Sequence, residues 1–331
     1  MATLYLTEPY AYVKKRDECL VVQLPDKTTR EVPLIKIDQV VVMGDITLTT
    51  SALQALLAQG VEICYLSAHG DYLGQLSPPF SKNTFIRRKQ YAACDDAAHT
   101  LRLAQQFVGG KLDNQRTMVL RANRKLNETT IAEAAAVLKR ERLQVGHATT
   151  LESLRGMEGN GAAAYFGVFA RLLRHDLGFA RRVRRPPTDP VNALLGLAYT
   201  SLMYQVRGAI QIVGLDPCAG YLHSAQYARP SLALDIMEEF RAVVADSVVI
   251  TLINNRVVQA GDFIEELGAV RLKKAGKKLF YEQFEARLNT EIQHPIFGYK
   301  VTYRRCLELQ VRLLAKALEG DIPAYPPFVT R

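Results

Sequence analysis

The 331-residue chain contains no CxxC pair. Its five cysteines, Cys19, Cys64, Cys94, Cys218 and Cys306, are odd in number and scattered, which argues against a zinc finger or a disulfide framework and fits a reducing compartment. No apolar segment of signal-peptide length precedes Lys14, Lys15 and Arg16. The longest uncharged helical stretch, residues 191–206, is short for a membrane span and carries Asn192, Tyr199 and Gln205. A cytoplasmic protein without a membrane segment is therefore expected. Also missing is a Ser/His/Asp or Cys/His grouping that would supply a protein nucleophile. His69, His99, His147, His175 and His294 show no ligand spacing relative to one another.

What is present is an uneven surplus of positive charge. The net charge is +9, yet residues 1–80 hold 6 Lys+Arg against 9 Asp+Glu, and the remainder holds 36 against 24. A basic surface concentrates phosphate-rich partners, because each neutralised phosphate releases condensed counterions. Surplus charge also serves solubility, so composition alone does not decide the matter.

Residues 1–80 read as strands at 3–6, 10–14, 19–24, 31–35 and 40–43, separated by turn signals such as Glu8-Pro9 and Pro25-Asp26. One helix near 51–59 ends at Gly60, strands resume at 61–65 and 72–76, and Pro78-Pro79 closes the unit. From Ser81 the period turns helical, with segments at about 82–108, 111–126, 129–142, 148–173, 190–213, 231–253, 275–291 and 300–318. Asp189 before Pro190 and Ser231 after Pro230 read as N-caps. The expected class is α+β, an N-terminal β-sandwich domain (1–80) followed by a mostly α-helical catalytic domain (81–331). The arginine-rich segment 181–187 reads as a mobile basic loop.

Three places combine metal-ligand residue types with an unusual setting. Glu158 stands alone among small residues in Gly156-Met157-Glu158-Gly159-Asn160-Gly161. Each interior glycine weakens a helix by about 1 kcal/mol relative to Ala, so this is either a loop running into a helix or a place where another backbone approaches the carboxylate. His223 ends Gly220-Tyr221-Leu222-His223 and is unremarkable by itself. Downstream, Ile236, Met237, Phe240 and Val243 form an apolar stripe, with Asp235 and Glu238 together on the other side of the helix. Such a pair is either a solvated acidic face or half of a cation site, and periodicity does not choose between Glu238 and Glu239. Carboxylates with an imidazole and no thiolate suit Mg²⁺ or Mn²⁺.

Taken in order, Lys111-Leu112-Asp113-Asn114-Gln115-Arg116, Gly156-Met157-Glu158-Gly159, Ala164-Tyr165-Phe166, Asp189-Pro190-Val191-Asn192, Gly220-Tyr221-Leu222-His223 and Leu234-Asp235-Ile236-Met237-Glu238-Glu239-Phe240-Arg241 resemble the CRISPR-associated integrase, the universal endonuclease-like subunit of spacer acquisition. The match runs over most of the chain, and the ordered set is specific where each piece alone is not. The resemblance implies metal ligands Glu158, His223 and Glu238, an additional or outer carboxylate at Asp235, and Arg241 facing the scissile phosphate. Asn192 and Tyr165 are implied as supporting residues. It further implies transesterification, in which the 3′-hydroxyl of a short captured duplex attacks the leader–repeat boundary of a CRISPR array, with endonuclease activity when water replaces the hydroxyl. Homodimers dimerising through residues 1–80 and bridged by a small ferredoxin-like CRISPR-associated protein are implied partners, together with double-stranded DNA. Phosphate contacts are expected from Arg87, Arg88 and Lys89, from the Arg181–Arg185 loop with Arg182 and Arg185 foremost, and from Lys273, Lys274, Lys277 and Lys278. Two other readings remain at this point, a branched-DNA repair nuclease and a catalytically silent DNA-binding scaffold.

Overall fold

A computed structural model describes residues 3–68, 72–78, 84–223, 226–227 and 229–330. Two compact units divide the chain, Met1–Phe80 and Ser81–Arg331. Pro79 and His69, singled out in the sequence, lie outside the described residues.

The first unit holds two four-stranded sheets. Strands β1 (Thr3–Leu6), β2 (Tyr12–Arg16), β3 (Cys19–Gln23), β4 (Thr29–Pro33), β5 (Gln39–Met43), β6 (Thr47–Leu48), β7 (Glu62–Leu66) and β8 (Tyr72–Leu76) are arranged in the orders β1-β5-β7-β8 and β4-β3-β2-β6. Helix α1 (Thr50–Ala58) starts at the Thr49 hydroxyl, which accepts from Ala52 N, and stops just before Gly60 at φ +77°. β5 lies between parallel partners β1 and β7 and is buried at all five positions, which is why Val40-Val41-Val42-Met43 shows no polar alternation. Val13, Leu20 and Val22 of one sheet, Leu6, Val40, Val42 and Ile63 of the other, and Ala52 and Leu56 of α1 share one buried cluster.

The second unit is mostly helical: α2 (Thr84–Asp95), α3 (Ala97–Leu126), α4 (Thr129–Gln144), α5 (Leu151–Gly167), α6 (Pro190–Val213), α7 (Ser231–Met237), α8 (Ser247–Asn254), α9 (Lys274–Leu288) and α10 (Tyr303–Glu319). It also carries two hairpins that the sequence reading missed, β9 (Phe263–Glu266) with β10 (Ala269–Leu272), and β11 (Glu291–Gln293) with β12 (Lys300–Thr302). Leu267 and Gly268, both at positive φ, make the first turn. The expected break near residues 109–110 is absent. Gly109 and Gly110 sit inside the 30-residue α3 because a Cβ at Gly110 would press at 3.0 Å on both Glu239 and Pro327, so the glycine permits close approach. The break falls instead at Asp96, whose carboxylate caps α3 through His99 N at 3.0 Å. Ser231 opens α7 without a side-chain cap, contrary to the N-cap expectation, whereas Asp189 caps α6 through Asn192 N at 2.8 Å. Among the described residues no helix is long and apolar enough to cross a membrane.

Candidate metal and phosphate site

Glu158 rides on α5, a continuous helix through its glycines rather than a loop running into one. Thr150 caps α5 by accepting from Ser153 N at 3.1 Å, and Glu152 favours its positive end. A Cβ at Gly161 would collide with Leu112 Cδ2, so the missing side chain lets α5 and α3 close together. That approach brings Lys111 of α3 to Glu158, Nζ to Oε1 2.5 Å.

His223 is fixed from three directions. Gly220 lies where a Cβ would stand 2.6 Å from the Ser231 carbonyl carbon, which seats residues 220–223 against the start of α7. Asp235, on α7 and fully buried, spends both oxygens on this segment. Oδ2 accepts from Tyr221 N (2.5 Å) and Leu222 N (3.0 Å), and Oδ1 accepts from His223 N (3.0 Å) and meets His223 Nδ1 at 2.7 Å. With Nδ1–H donating to the carboxylate, Nε2 keeps its lone pair and faces Glu238 Oε1 at 3.8 Å. Arg155 of α5 donates to Leu222 O at 2.8 Å. Behind the turn, Gln90 of α2 donates to Asp216 O and Ala219 O and accepts from Asp216 N, all at 2.8 Å.

The element bearing Glu238 is not the uniform helix the periodicity predicts. After α7 a 3₁₀ turn (Glu238–Phe240) passes into a π-helix (Arg241–Asp246) before α8 begins. Nor is its acidic side solvated. Asp235, Glu238 and Glu239 are all buried, and the two glutamates do different work. Glu239 accepts from Tyr325 OH (2.9 Å) and Phe328 N (2.7 Å), and Asn114 of α3 donates to both Glu239 O and Phe328 O at 2.7 Å. It anchors the C-terminal segment, and burial pushes its carboxyl well above the usual range. Glu238 faces the cations instead, Arg241 Nη2 at 3.0 Å and Lys111 Nζ at 2.8 Å. Burial opposes its ionisation, but Arg241 and Lys111 outweigh it and hold the carboxyl down to about 2. The Lys111 contact is off-axis, so Glu238 Oε2, closed from solvent, has an ion partner but no directed hydrogen bond.

Beside Glu158 opens a cavity of about 140 Å³, with Lys111, Arg155, Arg182, Arg184 and Arg241 in its wall and Glu158 its one acid. Gly159, Ala162 and Phe166 make a smooth side. The guanidiniums are held, not loose. Those of Arg241 and Arg182 lie 4.7 and 5.5 Å from the centroid of the Tyr199 ring. Arg182 Nη1 donates to Asn192 Oδ1 at 2.8 Å, and Asn192 also binds Val183 N and Arg181 O. The segment read as a mobile loop is therefore clamped, and Asn192 does the clamping.

Tyr199 OH (2.7 Å) and Tyr165 OH (2.9 Å) both donate to Asp246, the last residue of the π-helix. Burial raises Asp246 to about 6, against the lowering effect of both tyrosines, Arg241 and Arg182. Its folded value lies above the ordinary 3.9, so it adds stability below pH 4 that is lost as pH rises through about 6. Asp246→Asn removes that dependence. Chemical denaturation should show the variant gaining on the parent by about 2 kcal/mol between pH 4 and pH 7. Parallel stability profiles for the two proteins would show that Asp246 does not titrate in this window.

The structure thus gathers Glu158, His223, Glu238 and Arg241 at one place, with Tyr165 and Asn192 behind them. Asp235, given as an additional or outer carboxylate, spends both oxygens on residues 221–223 and orients His223. The structure also places a residue with no expected role, Lys111, between the two glutamates. Among the described residues no three His, Cys, Asp or Glu side chains stand ready as a metal-ligand group, and the Lys111 ammonium contacts both glutamates. The donors nevertheless suit a hard divalent ion: two carboxylates that already share a cation, an oriented imidazole nitrogen, and an acceptor without a hydrogen bond. Of the expected phosphate contacts, Arg182 and Arg184 of the 181–185 loop line the cavity. Arg87, Arg88, Arg185, Lys273 and Lys277 do not, and Lys89 and Lys273 donate to the carbonyls of Glu319 and Gly261.

Residues 4–286 match the protein family described as CRISPR associated protein Cas1. The chain belongs to this family. Among Cas1 relatives, CRISPR-associated endonuclease Cas1 3 of Thermus thermophilus is 42% identical over 335 residues, covering 100% of this chain and 98% of the relative. Two solved structures share the Cas1 fold. "Casposase bound to integration product" aligns at TM-score 0.86 and 26% identity, over 98% of this chain and 93% of that one. "Cas6-RT-Cas1--Cas2 complex" aligns at TM-score 0.83 and 27% identity, over 100% of this chain and 36% of that one.

Proposed function

We propose that this chain is a metal-dependent DNA endonuclease and integrase of CRISPR spacer acquisition, joining the 3′-hydroxyl ends of short duplex DNA to a CRISPR array. The observation that carries this reading is that Glu158 and Glu238 share Lys111, with His223 Nε2 facing Glu238, beside a cavity with five cations in its wall. A scaffold that only bound DNA would gain nothing from buried carboxylates beside its phosphate site, since they repel phosphate unless a cation offsets them. The relatives agree, one being named as an endonuclease and a structural neighbour as an integration complex.

Glu158, His223 and Glu238 would hold Mg²⁺ or Mn²⁺, which supplies Lewis-acid polarisation of a phosphoryl oxygen when bound. The remaining work falls to the chain. Arg155, Arg182, Arg184 and Arg241 bind the non-bridging oxygens and stabilise the charge that grows on them. Tyr199, between two guanidiniums, keeps them in place before DNA arrives. Asp235 holds His223 in one tautomer, and Gly159 and Ala162 leave room for a nucleic-acid backbone. The 3′-hydroxyl oxygen forms a new bond to phosphorus as the bond to the target strand's 3′-oxygen breaks, and the proton passes to that leaving oxygen through solvent. One phosphodiester is exchanged for another, so no nucleotide hydrolysis is required. Water in place of the hydroxyl gives strand cleavage.

Residues 1–80 are proposed as a β-sandwich that mediates homodimerisation, and residues 81–331 as the catalytic domain. A small ferredoxin-like CRISPR-associated protein is the proposed bridge between dimers, in keeping with the Cas1–Cas2 complex among the neighbours. The test is strand transfer of a short 3′-hydroxyl duplex into a repeat-containing plasmid, with Mn²⁺ and the bridging protein. Covalent joining that disappears in excess chelator is expected. Joining that persists in chelator, or a 3′-deoxy duplex that joins equally well, counts against the reading.

A further inference from the structure

We propose that Lys111 is a tethered counter-ion with two positions, on the carboxylates when the divalent ion is absent and on Gln115 and the substrate phosphate when it is present, so that it couples metal binding to DNA binding. The inference rests on the metal-site reading above. Its basis is charge balance in a closed space. Glu158 and Glu238 carry two negative charges, which Lys111 and Arg241 match with two positive ones at 2.5 to 3.0 Å. Glu238 and Lys111 are nearly out of solvent, at 1% and 6% side-chain exposure, so this balance is not screened by water.

A divalent ion added to a neutral quartet leaves two surplus positive charges in that space. Arg241 is held by Tyr199 and by Glu238 and has little freedom to leave. Lys111 is the freer of the two, since its ammonium is a point charge on a flexible stem and already borders the cavity. The cavity offers it a landing place. Gln115 follows four residues later on the same face of α3, lines the same cavity, and buries its Oε1 without a hydrogen-bond partner. An ammonium moved there satisfies that oxygen and faces the phosphate position. Phosphodiester binding then offsets the charge that remains, and each ligand favours the arrangement the other needs. By linkage, DNA must tighten metal binding by the same factor that metal tightens DNA binding.

The proposal fixes the sign of a substitution. A lysine that merely braced the site would, on removal, weaken metal binding. A displaced counter-ion would, on removal, strengthen it. Titration calorimetry of Mn²⁺ into the full chain, with and without a short duplex ending in 3′-deoxynucleotides, reads this directly. In the parent protein the duplex should lower the Mn²⁺ Kd by roughly tenfold or more. Lys111→Met should bind Mn²⁺ at least about tenfold more tightly without DNA and lose most of the DNA effect. Gln115→Met, which removes the landing oxygen, should shift the Kd the other way. An unchanged or weaker Mn²⁺ affinity in Lys111→Met overturns the proposal. So does a parent protein whose Mn²⁺ affinity ignores DNA, a measurement that stands even if the variant fails to fold. His223→Ala separates the two readings. If it binds Mn²⁺ like the parent, the metal site itself is wrong. If it loses Mn²⁺ while Lys111→Met behaves like the parent, only the role of Lys111 is wrong.

Discussion

Alanine at Glu158, His223 or Glu238 is expected to lower strand joining on the order of 10³-fold or more, the rate equivalent of several kcal/mol of lost transition-state stabilisation. Measured without divalent metal, duplex binding should stay within about threefold, because Arg155, Arg182 and Arg184 supply phosphate contacts that none of these substitutions removes. The three losses should not add. Side chains that hold one ion act as a unit, so any double variant should be about as inactive as a single one. Asp235→Asn belongs to the same series with a smaller effect, about 10–100-fold in metal affinity, because it only orients His223. Strand-transfer rates, with duplex affinity measured in parallel, decide the matter. A Glu158→Ala protein that joins DNA at a tenth of the parental rate would remove Glu158 from the ligand set.

How much of this was legible in the sequence depends on how local the cause was. Apart from the two-residue β6, the strands of residues 1–80 were readable to within a few residues, since turn residues and β-branched runs are local signals. Helix α6 was readable for the same reason, with Asp189 and Pro190 announcing its start. What failed depended on a distant partner. Gly109-Gly110 looked like a break because the sequence does not reveal that Glu239 and Pro327 press on α3 there. The arginine-rich segment looked mobile because Asn192, ten residues past Arg182, is what clamps it. Glu238 and Glu239 were equivalent by helical spacing, and the choice came from the ordered family pattern. The structure supplies the physical distinction, since Tyr325 and Phe328, nearly 90 residues later, occupy Glu239. Lys111 stood in a quoted motif without a role, because pairing it with Glu158 requires the contact between α3 and α5. The β9–β10 hairpin did have a signal, the turn pair Leu267-Gly268, in a stretch between the expected helices that was given no element.

Arg241→Ala should cost about 3–5 kcal/mol of stability, the usual penalty for removing one partner of a buried ion pair. For a unit of this size that is a fall of roughly 6–20 °C in Tm. The size follows from what is left behind. Glu238 has 1% of its side chain exposed and would keep its charge with only Lys111 and the His223 ring nearby, while the Tyr199 ring would lose the closer of its two guanidiniums. Lysine does not repair this, since an ammonium restores charge but neither the planar stacking nor the fixed fork of donors. Arg241→Lys should therefore recover part of the stability and little of the joining activity. The decisive protein is the double variant. Adding Glu238→Gln to Arg241→Ala removes the stranded charge, so the double variant should melt higher than Arg241→Ala alone, although it carries one more substitution and cannot join DNA. A purely steric role for Arg241 predicts the reverse, with the second change lowering Tm further. Thermal melts of the four proteins separate charge from packing, and only the charge account requires Glu238 to be ionised within the fold.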